Sequence, residues 1–374
     1  MHIGLFIKDF AVGKKFSKNG LPTKSGAEFH GENHALQLIR CGHDVTIMAK
    51  KRYWFTKARE NIKGIDLVRL HGPFRWFEII FRLLTTHRSI DVFYVLGKAS
   101  FSVWAIVLAK LMKKPVTMAL TGKAEIFNGG KSWRNKIFTK CDHYIALSNE
   151  IRDGFIQEGN ISPDKITVLG QGIDTKKYPV PSDAEKATIR DKHGISAEAV
   201  VILFCARIVV DKGIDTVEKI WPEIHKKYPD ARLILVGGGR NEIMEELKIM
   251  SKEQDASIII IGETDVPVEY YQLSDIYLFP SKHEGLPTTL MEAMSCGLPT
   301  VASRIGGCVD LVEDSVNGYL VDKEDADGFA EKVEKLIIDG DIRKRMGLSA
   351  ASFARENCDY SKVIWRLEEI LKGK

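Results

Sequence analysis

The chain has no closely spaced cysteines. Its 6 cysteines, at positions 41, 141, 205, 296, 308 and 358, are scattered without any C-x-x-C pair, which argues against both a zinc site and a disulfide framework. They read as reduced structural thiols, because nothing in the sequence supplies one of them with a base. Long apolar runs are also missing. The longest, Phe101 to Ala109, is ended by Lys110 and is too short to cross a bilayer. The opening, MHIGLFIKDF, reaches Lys8 and Asp9 too soon for a signal peptide and reads as a first buried strand. No stretch has a disordered composition: hydrophobic residues at 44% and charged residues at 28% are ordinary for a globular protein. A soluble, cytoplasmic chain is expected, and 374 residues predict two domains or three, each able to bury a core.

Net charge is small at +4 but unevenly placed. Residues 1–180 carry 29 Lys plus Arg against 15 Asp plus Glu, whereas residues 181–374 carry 25 against 35. The basic half is expected to face something anionic, such as a membrane surface, a phosphorylated acceptor or nucleic acid. No recognised nucleic-acid motif accompanies the charge, so a nucleic-acid partner is not expected.

Short runs rich in Val, Ile, Leu and Phe alternate with helical patterns along both halves, the pattern of parallel sheets built from β-α-β units. Strands are predicted at His2–Ile7, Asp44–Met48, Asp66–Leu70, Val92–Val95, Val116–Leu120, Tyr144–Leu147 and near Ile166–Leu169. A second set is predicted at Val200–Cys205, Arg232–Val236, Ile258–Ile261, Ile276–Phe279, Thr300–Ala302 and near Tyr319–Val321. The fold class is therefore α/β, with two Rossmann-like domains facing a cleft, residues 1–178 and residues 179–357, and a closing segment 358–374 whose apolar stripe at helical spacing must find a partner. Tyr178 to Asp191, with two prolines and a run of charges, reads as the linker.

The segment FPSKHEGLPTTLMEAMSCGLPTVA, Phe279 to Ala302, carries the chemistry. It predicts a strand end near Pro280, a loop with Glu284, Gly285 and Leu286, and a short helix from about Thr288 stopped by Gly297. The free N–H groups at that helix start suit a phosphate-bearing ligand, and Gly285 leaves room to approach them. Glu284 in the loop and Glu292 one turn inside the helix can accept hydrogen bonds from hydroxyls at two ends of a polyhydroxylated molecule. Further up the chain, Arg207 and Lys212 stand across a loop that ends at Gly213, placed to grip a diphosphate. Gly26, at the start of another predicted helix, would let a phosphate approach the backbone.

The Phe279–Ala302 string resembles the E-G-x-P then E-A-M-x-x-G-x-P motif of retaining GT-B glycosyltransferases of family four, and the resemblance extends over nearly the whole chain. It includes R-x-x-x-x-K-G at Arg207 to Gly213, the Gln171–Asp174 boundary, Gly306 and Gly307, and Asn317 with Gly318. It implies transfer of a hexose from a nucleotide-sugar donor, UDP-linked or else GDP-linked, to an acceptor hydroxyl with the anomeric configuration kept. In that picture Glu284 binds the donor sugar and Glu292 the ribose. Arg207, Lys212 and Gly26 hold the diphosphate, and Gly285 and Leu286 complete the sugar pocket. The resemblance also implies that the closing segment 358–374 crosses back to the first domain. No cofactor or metal is implied. The chain departs from the family at Ala27, where a second glycine is usual, at Gln171, where asparagine is usual, and at Thr121, which stands where many relatives have a histidine and can hydrogen-bond but not carry charge.

Two other patterns fall away. VGGGRNE suggests a dinucleotide fingerprint but has Glu242 where the last glycine should be. Asp325 and Asp327 form a D-x-D string that reads as helix-start acids ahead of GFAEKVEKLI, with no metal role. A sugar-nucleotide epimerase and a non-catalytic nucleotide-binding relative that activates a partner remain as alternatives. Finally, KKRYWFTKAR (Lys50 to Arg59) and FRWFEIIFRLLTTHR (Phe74 to Arg88) mix cations with aromatics. They could meet an anionic bilayer, or Ile79, Ile80, Leu83 and Leu84 could pack a helix onto the first sheet. The expected partners are thus the nucleotide sugar, a lipid-linked or polysaccharide acceptor and an anionic membrane surface, with the protein peripheral at the inner face of the cell membrane.

Overall fold

A computed structural model describes the chain apart from Asp9, residues 11–25, 51–56, 71–74, Thr86, 98–101, 121–132, 255–256 and Lys374. Two units result: residues 1–171 with 361–374, and residues 172–360.

In the first unit the apolar runs become strands β1 (His2–Ile7), β2 (Asp44–Lys50), β3 (Arg59–Ile62), β4 (Ile65–Leu70), β5 (Val92–Leu96), β6 (Val116–Leu120), β7 (His143–Ala146) and β8 (Ile166–Val168). Their order is β3-β4-β2-β1-β5-β6-β7-β8. The pairings are parallel apart from β3 with β4. All five residues of β5 and of β6 are buried, as strands covered by helices on both faces must be. Strand β3 was not expected. Its sequence, RENI, has a single apolar residue and alternates between exposed and partly exposed positions, so it carries no apolar run. It exists because Lys63 at φ 51° and Gly64 at φ 89° turn the chain back onto β4, the geometry of a tight hairpin turn.

The second unit holds β9 (Val201–Cys205), β10 (Arg232–Val236), β11 (Ile258–Gly262), β12 (Ile276–Phe279), β13 (Thr300–Ser303) and β14 (Gly318–Val321), in the order β11-β10-β9-β12-β13-β14. One apolar cluster covers each face. Leu203, Tyr277, Phe279, Leu290 and Met294 belong to one, and Phe204, Ile214, Trp221, Leu278 and Phe329 to the other.

The segment expected to be a linker is largely a helix. Asp183–Lys192 is helical, started by a capping box in which the Ser182 side chain accepts from the Glu185 backbone while the Glu185 carboxylate accepts from Ser182. Buried Arg190 and Lys186 both reach Asp275, at 2.5 Å and 2.7 Å, and Arg190 also donates to the carbonyls of Leu273, Ala197 and Ala199. The charges that made the segment look solvated are satisfied against the second unit instead. Desolvation by burial lowers the Lys186 pKa, while Asp275 opposes the shift.

The closing helix, Tyr360–Leu371, puts Val363, Ile364, Leu367, Ile370 and Leu371 into the apolar cluster that contains Ile3, Leu5, Ile47 and Tyr94 of the first unit. An apolar stripe at helical spacing is thus buried against strands more than 250 residues away in sequence. Leu367 is fully buried. Leu367→Ala should therefore cost about 2–5 kcal/mol of stability. Chemical denaturation would measure it, and a variant with the wild-type midpoint would show that the helix adds nothing to that core.

Candidate functional site

The order of the second sheet reverses between β9 and β12, which lie side by side. At such a switch point the loops leaving the two carboxyl ends run in opposite directions and open a crevice, where ligands of parallel sheets bind. The loop after β9 carries Arg207 and Lys212, and the loop after β12 carries Glu284. They are held together by backbone contact. Gly213, at φ 81°, caps the helix Ile214–Lys227, and a Cβ there would stand 2.0 Å from the Pro280 carbonyl oxygen. Next to it the Lys282 N–H donates to the Asp211 carbonyl at 3.0 Å, and the Lys282 ammonium donates to Asp215 at 2.7 Å.

Within this frame Lys212 Nζ lies 2.5 Å from Glu284 Oε1, and the buried Ser281 hydroxyl donates to the same oxygen at 2.9 Å. Both side chains of the ion pair keep some access to solvent, 16% for Lys212 and 13% for Glu284. The resemblance assigns Glu284 to the donor sugar and Lys212 to the diphosphate; here the two side chains are in direct contact. Arg207 is exposed and has no ion pair among the described residues. Its loop is braced from the other side, where the Ile208 N–H donates to the Gly238 carbonyl at 2.8 Å. The triple-glycine turn therefore supports the Arg207 loop.

Glu292 sits in the helix Thr288–Ser295, one turn from its start. It is neither a solvated helix residue nor an open carboxylate. The Tyr178 hydroxyl donates to Oε1 at 3.1 Å and the Tyr271 hydroxyl to Oε2 at 2.9 Å. The residue keeps some surface, but its carboxyl group is well buried, and that burial pushes its pKa up to about 7 against the two tyrosine hydrogen bonds, which pull it down. Tyr178 and Tyr271 were not identified from sequence. The first lies in the expected linker and meets Glu292 across 114 residues, a pairing with no local signal.

Gly285 and Leu286 lie against the turn after β13. A Cβ on Gly307 would come within 2.3 Å of the Gly285 carbonyl oxygen and 2.8 Å of Leu286 Cα, so Gly307 allows that turn to press on the Gly285–Leu286 segment. Asn317 is a brace: buried, it accepts from the Glu313 N–H at 2.9 Å and donates to the Leu311 carbonyl at 3.2 Å. Asp325 caps the helix Ala326–Ile338 by accepting from the Gly328 N–H at 3.0 Å, as its helix-start reading requires. Burial raises the pKa of Cys205 to about 12 and moves those of Cys296 and Cys358 upward too, which suits inert thiols. In the first unit Gly26 is the first residue of the helix Gly26–Arg40. Thr121 lies outside the described residues.

Residues 185–353 match the family described as Glycosyl transferases group 1, and residues 24–177 match Glycosyltransferase Family 4. Among curated proteins, a GDP-mannose-dependent alpha-(1-6)-phosphatidylinositol monomannoside mannosyltransferase of Mycolicibacterium smegmatis is 30% identical over 55% of this chain and 56% of its own length. The capsular polysaccharide biosynthesis glycosyltransferase CapM of Staphylococcus aureus is 28% identical over 59% of this chain and 58% of its own length. The chain thus spans somewhat more than half the length of these relatives. Among solved structures, the Anabaena protein HepE in complex with UDP superposes with a TM-score of 0.80 at 18% identity over 100% of both chains, which shows the GT-B fold.

The raised pKa of Glu292 has a stability consequence with a definite sign. A carboxyl that titrates near 7 when folded and at 4.5 in its ordinary state binds more protons folded than unfolded between those values. Its contribution is full below about 4.5 and is lost as pH rises through about 7. Without ligand, Glu292→Gln should melt higher than wild type at pH 8, and the gap should close as pH falls toward 4.5. Paired thermal melts across that range would show it, and a constant gap would contradict a buried, titrating carboxyl.

Proposed function

For a chain that belongs to the glycosyl transferases group 1 family and is built on the GT-B fold, we propose the transfer of a hexose from a nucleotide diphosphate sugar to an acceptor hydroxyl in glycan or glycolipid assembly. The observation that carries this reading is the contact of Lys212 with Glu284 at the switch point of the second sheet, with Arg207 exposed on the loop that carries Lys212. A cation against a carboxylate, with a second cation exposed on the same loop, suits a ligand that is anionic at one part and rich in hydroxyls at the next. A donor diphosphate would draw Lys212 toward itself and free Glu284 Oε1 to accept sugar hydroxyls. As the bond from the anomeric carbon to the phosphate oxygen breaks, Arg207 and Lys212 neutralise the charge growing on the leaving diphosphate. The acceptor oxygen bonds to the anomeric carbon from the same face, its proton passing to the leaving phosphate, and configuration is retained. No metal enters this scheme. Uridine is the favoured base because HepE was solved with UDP, although the mycobacterial relative is named for GDP-mannose.

The acceptor side rests on the basic first half of the sequence and on the helix Arg75–Leu84. This helix is apolar on two faces. Ile79 and Leu83 are fully buried, as the packing alternative required, while Phe77, Phe81 and Leu84 are 61%, 59% and 52% exposed at i, i+4 and i+7. Leu111, at the end of the neighbouring helix Ser102–Leu111, is also exposed. Such a face, in the half of the sequence with the excess of Lys and Arg, suits the inner surface of a cell membrane that carries a lipid-linked or growing polysaccharide acceptor. Among the described residues no helix is long and apolar enough to cross a membrane.

Two measurements test the reading. Incubation with a panel of UDP- and GDP-sugars should release nucleotide diphosphate, insensitive to chelator. Arg207→Ala or Lys212→Ala should weaken UDP or GDP binding by about tenfold or more, the loss of a charge-assisted hydrogen bond. Glu284→Gln should spare that binding while lowering turnover roughly ten- to a hundredfold. Equal losses of nucleotide affinity in all three variants would contradict the assigned roles.

Vesicles containing anionic lipid should bind the protein at low salt and release it as salt rises, each cation near the surface contributing about 1 kcal/mol. The double variant Phe77→Ser, Phe81→Ser should lose most of that binding without a change in melting temperature. Equal binding of neutral and anionic vesicles, or an unaffected double variant, would place the acceptor in solution.

A further inference from the structure

The surroundings of Glu292 go further than the donor reading requires. The groups facing it are Tyr178 from the turn after Thr175–Lys177, Tyr271 from the helix Val268–Leu273, Cys205 at the end of β9, Tyr277 of β12 and Cys296 beyond its own helix. None of these is a cation. A carboxylate offers about four acceptor positions. One on each oxygen is taken by a tyrosine hydroxyl, at 3.1 Å and 2.9 Å. One on each oxygen is left. The Tyr271 side chain is fully buried, and the Tyr178 and Tyr271 rings meet edge to face at 5.9 Å, so packing sets the directions of both hydroxyls.

We propose that Tyr178 and Tyr271 are positioning residues that hold Glu292 with two acceptor sites side by side for a vicinal diol, and that binding of a ribonucleotide diphosphate expels a proton from this carboxyl. This rests on the nucleotide-sugar reading above, with the ribose as the diol. The balance is simple. Glu292 in its protonated form gives up its carboxyl proton to the solvent, and the carboxylate formed accepts two ribose hydroxyls in addition to the two tyrosines. Because burial has already brought this carboxyl to titrate near 7, the proton is present to be expelled below neutrality and absent well above it. Affinity should accordingly be full at high pH and fall as pH drops below about 7, by up to about tenfold per unit. A nucleotide lacking one of the two hydroxyls cannot complete the set and should bind with little of this dependence.

Isothermal titration of the full chain with UDP and with GDP, each beside its 2′-deoxy counterpart, decides the matter. The deoxy nucleotides carry the same phosphates and so correct for titration of the ligand itself. Run at pH 6 and pH 8 in buffers of different ionisation heat, the ribonucleotide should release about one proton more than its deoxy counterpart at pH 6 and about none more at pH 8. Tyr178→Phe, which removes one oxygen, should lower ribonucleotide affinity roughly tenfold and move the midpoint of the pH profile upward, because a donor that favours the ionised form is gone. Should that variant melt below wild type, Tyr271→Phe and the wild-type comparison of ribose with deoxyribose carry the test. Ribonucleotide and deoxynucleotide binding with the same pH profile would overturn the proton linkage and leave the glycosyltransfer reading standing. If neither UDP nor GDP binds at either pH, that reading fails and this inference with it.

Discussion

The approach of Gly213 to the Pro280 carbonyl is the constraint on which the second unit's ligand edge depends. It sets a helix start directly against the loop leaving the neighbouring strand, at a spacing no Cβ could occupy. From it follow the Asp211 to Lys282 backbone hydrogen bond, the Lys282 contact with Asp215 and the meeting of Lys212 with Glu284. Lys212 and Gly213 are adjacent in the chain, so fixing the glycine places the lysine. The Arg207–Gly213 segment is therefore as much a packing device as a charge device: its glycine brings two loops together, and that sets where Lys212 lies.

The two glutamates of one short motif end in opposite electrostatic conditions. Glu284 faces a cation and a hydroxyl at a mostly buried position that keeps some solvent access, where its charge is compensated by Lys212. Glu292 faces two hydroxyls and, among the described residues, no cation, where holding a charge is expensive and a proton is the cheaper partner. Carboxylates pushed apart in this way serve different ends. In the roles proposed above, the first would trade its lysine for a ligand's hydroxyls and the second would change protonation state when a ligand supplies donors.

How much of this was legible follows from where each signal lives. Parallel strands buried on both faces announce themselves as apolar runs, so β5, β6 and β9 stand out in the sequence, as does the helix from Thr288. Strand β3 does not, because an edge strand with one apolar residue is defined by its partner β4 and by a Lys-Gly turn, neither of which is periodic. The Asp183–Lys192 helix was hidden for a related reason. Arg190 and Lys186 look solvated until Asp275, 85 and 89 residues on, is placed between them. Charge in a sequence shows that a group must be compensated and is silent about where. The same holds for Tyr178, whose hydroxyl acquires its role only when the fold carries it to Glu292.

The helix Arg75–Leu84 sets a similar problem in apolar form. Periodicity alone left two readings, a core-packed helix or a membrane-facing one, and treated them as rivals. Ile79 and Leu83 occupy one face and Phe77, Phe81 and Leu84 the other, so burial of the first pair does nothing to cover the second set. An ion pair on this helix, Arg82 with Glu78, bridges one helical turn at 2.9 Å and cancels itself locally. The excess of positive charge in the first half must then be sought elsewhere in that half, and the exposed apolar face supplies what charge cannot. Attraction to an anionic surface is long-ranged and screened by salt, whereas phenylalanine burial acts only on contact and is indifferent to salt. A protein that used both, as proposed above, would find the surface through one and stay through the other.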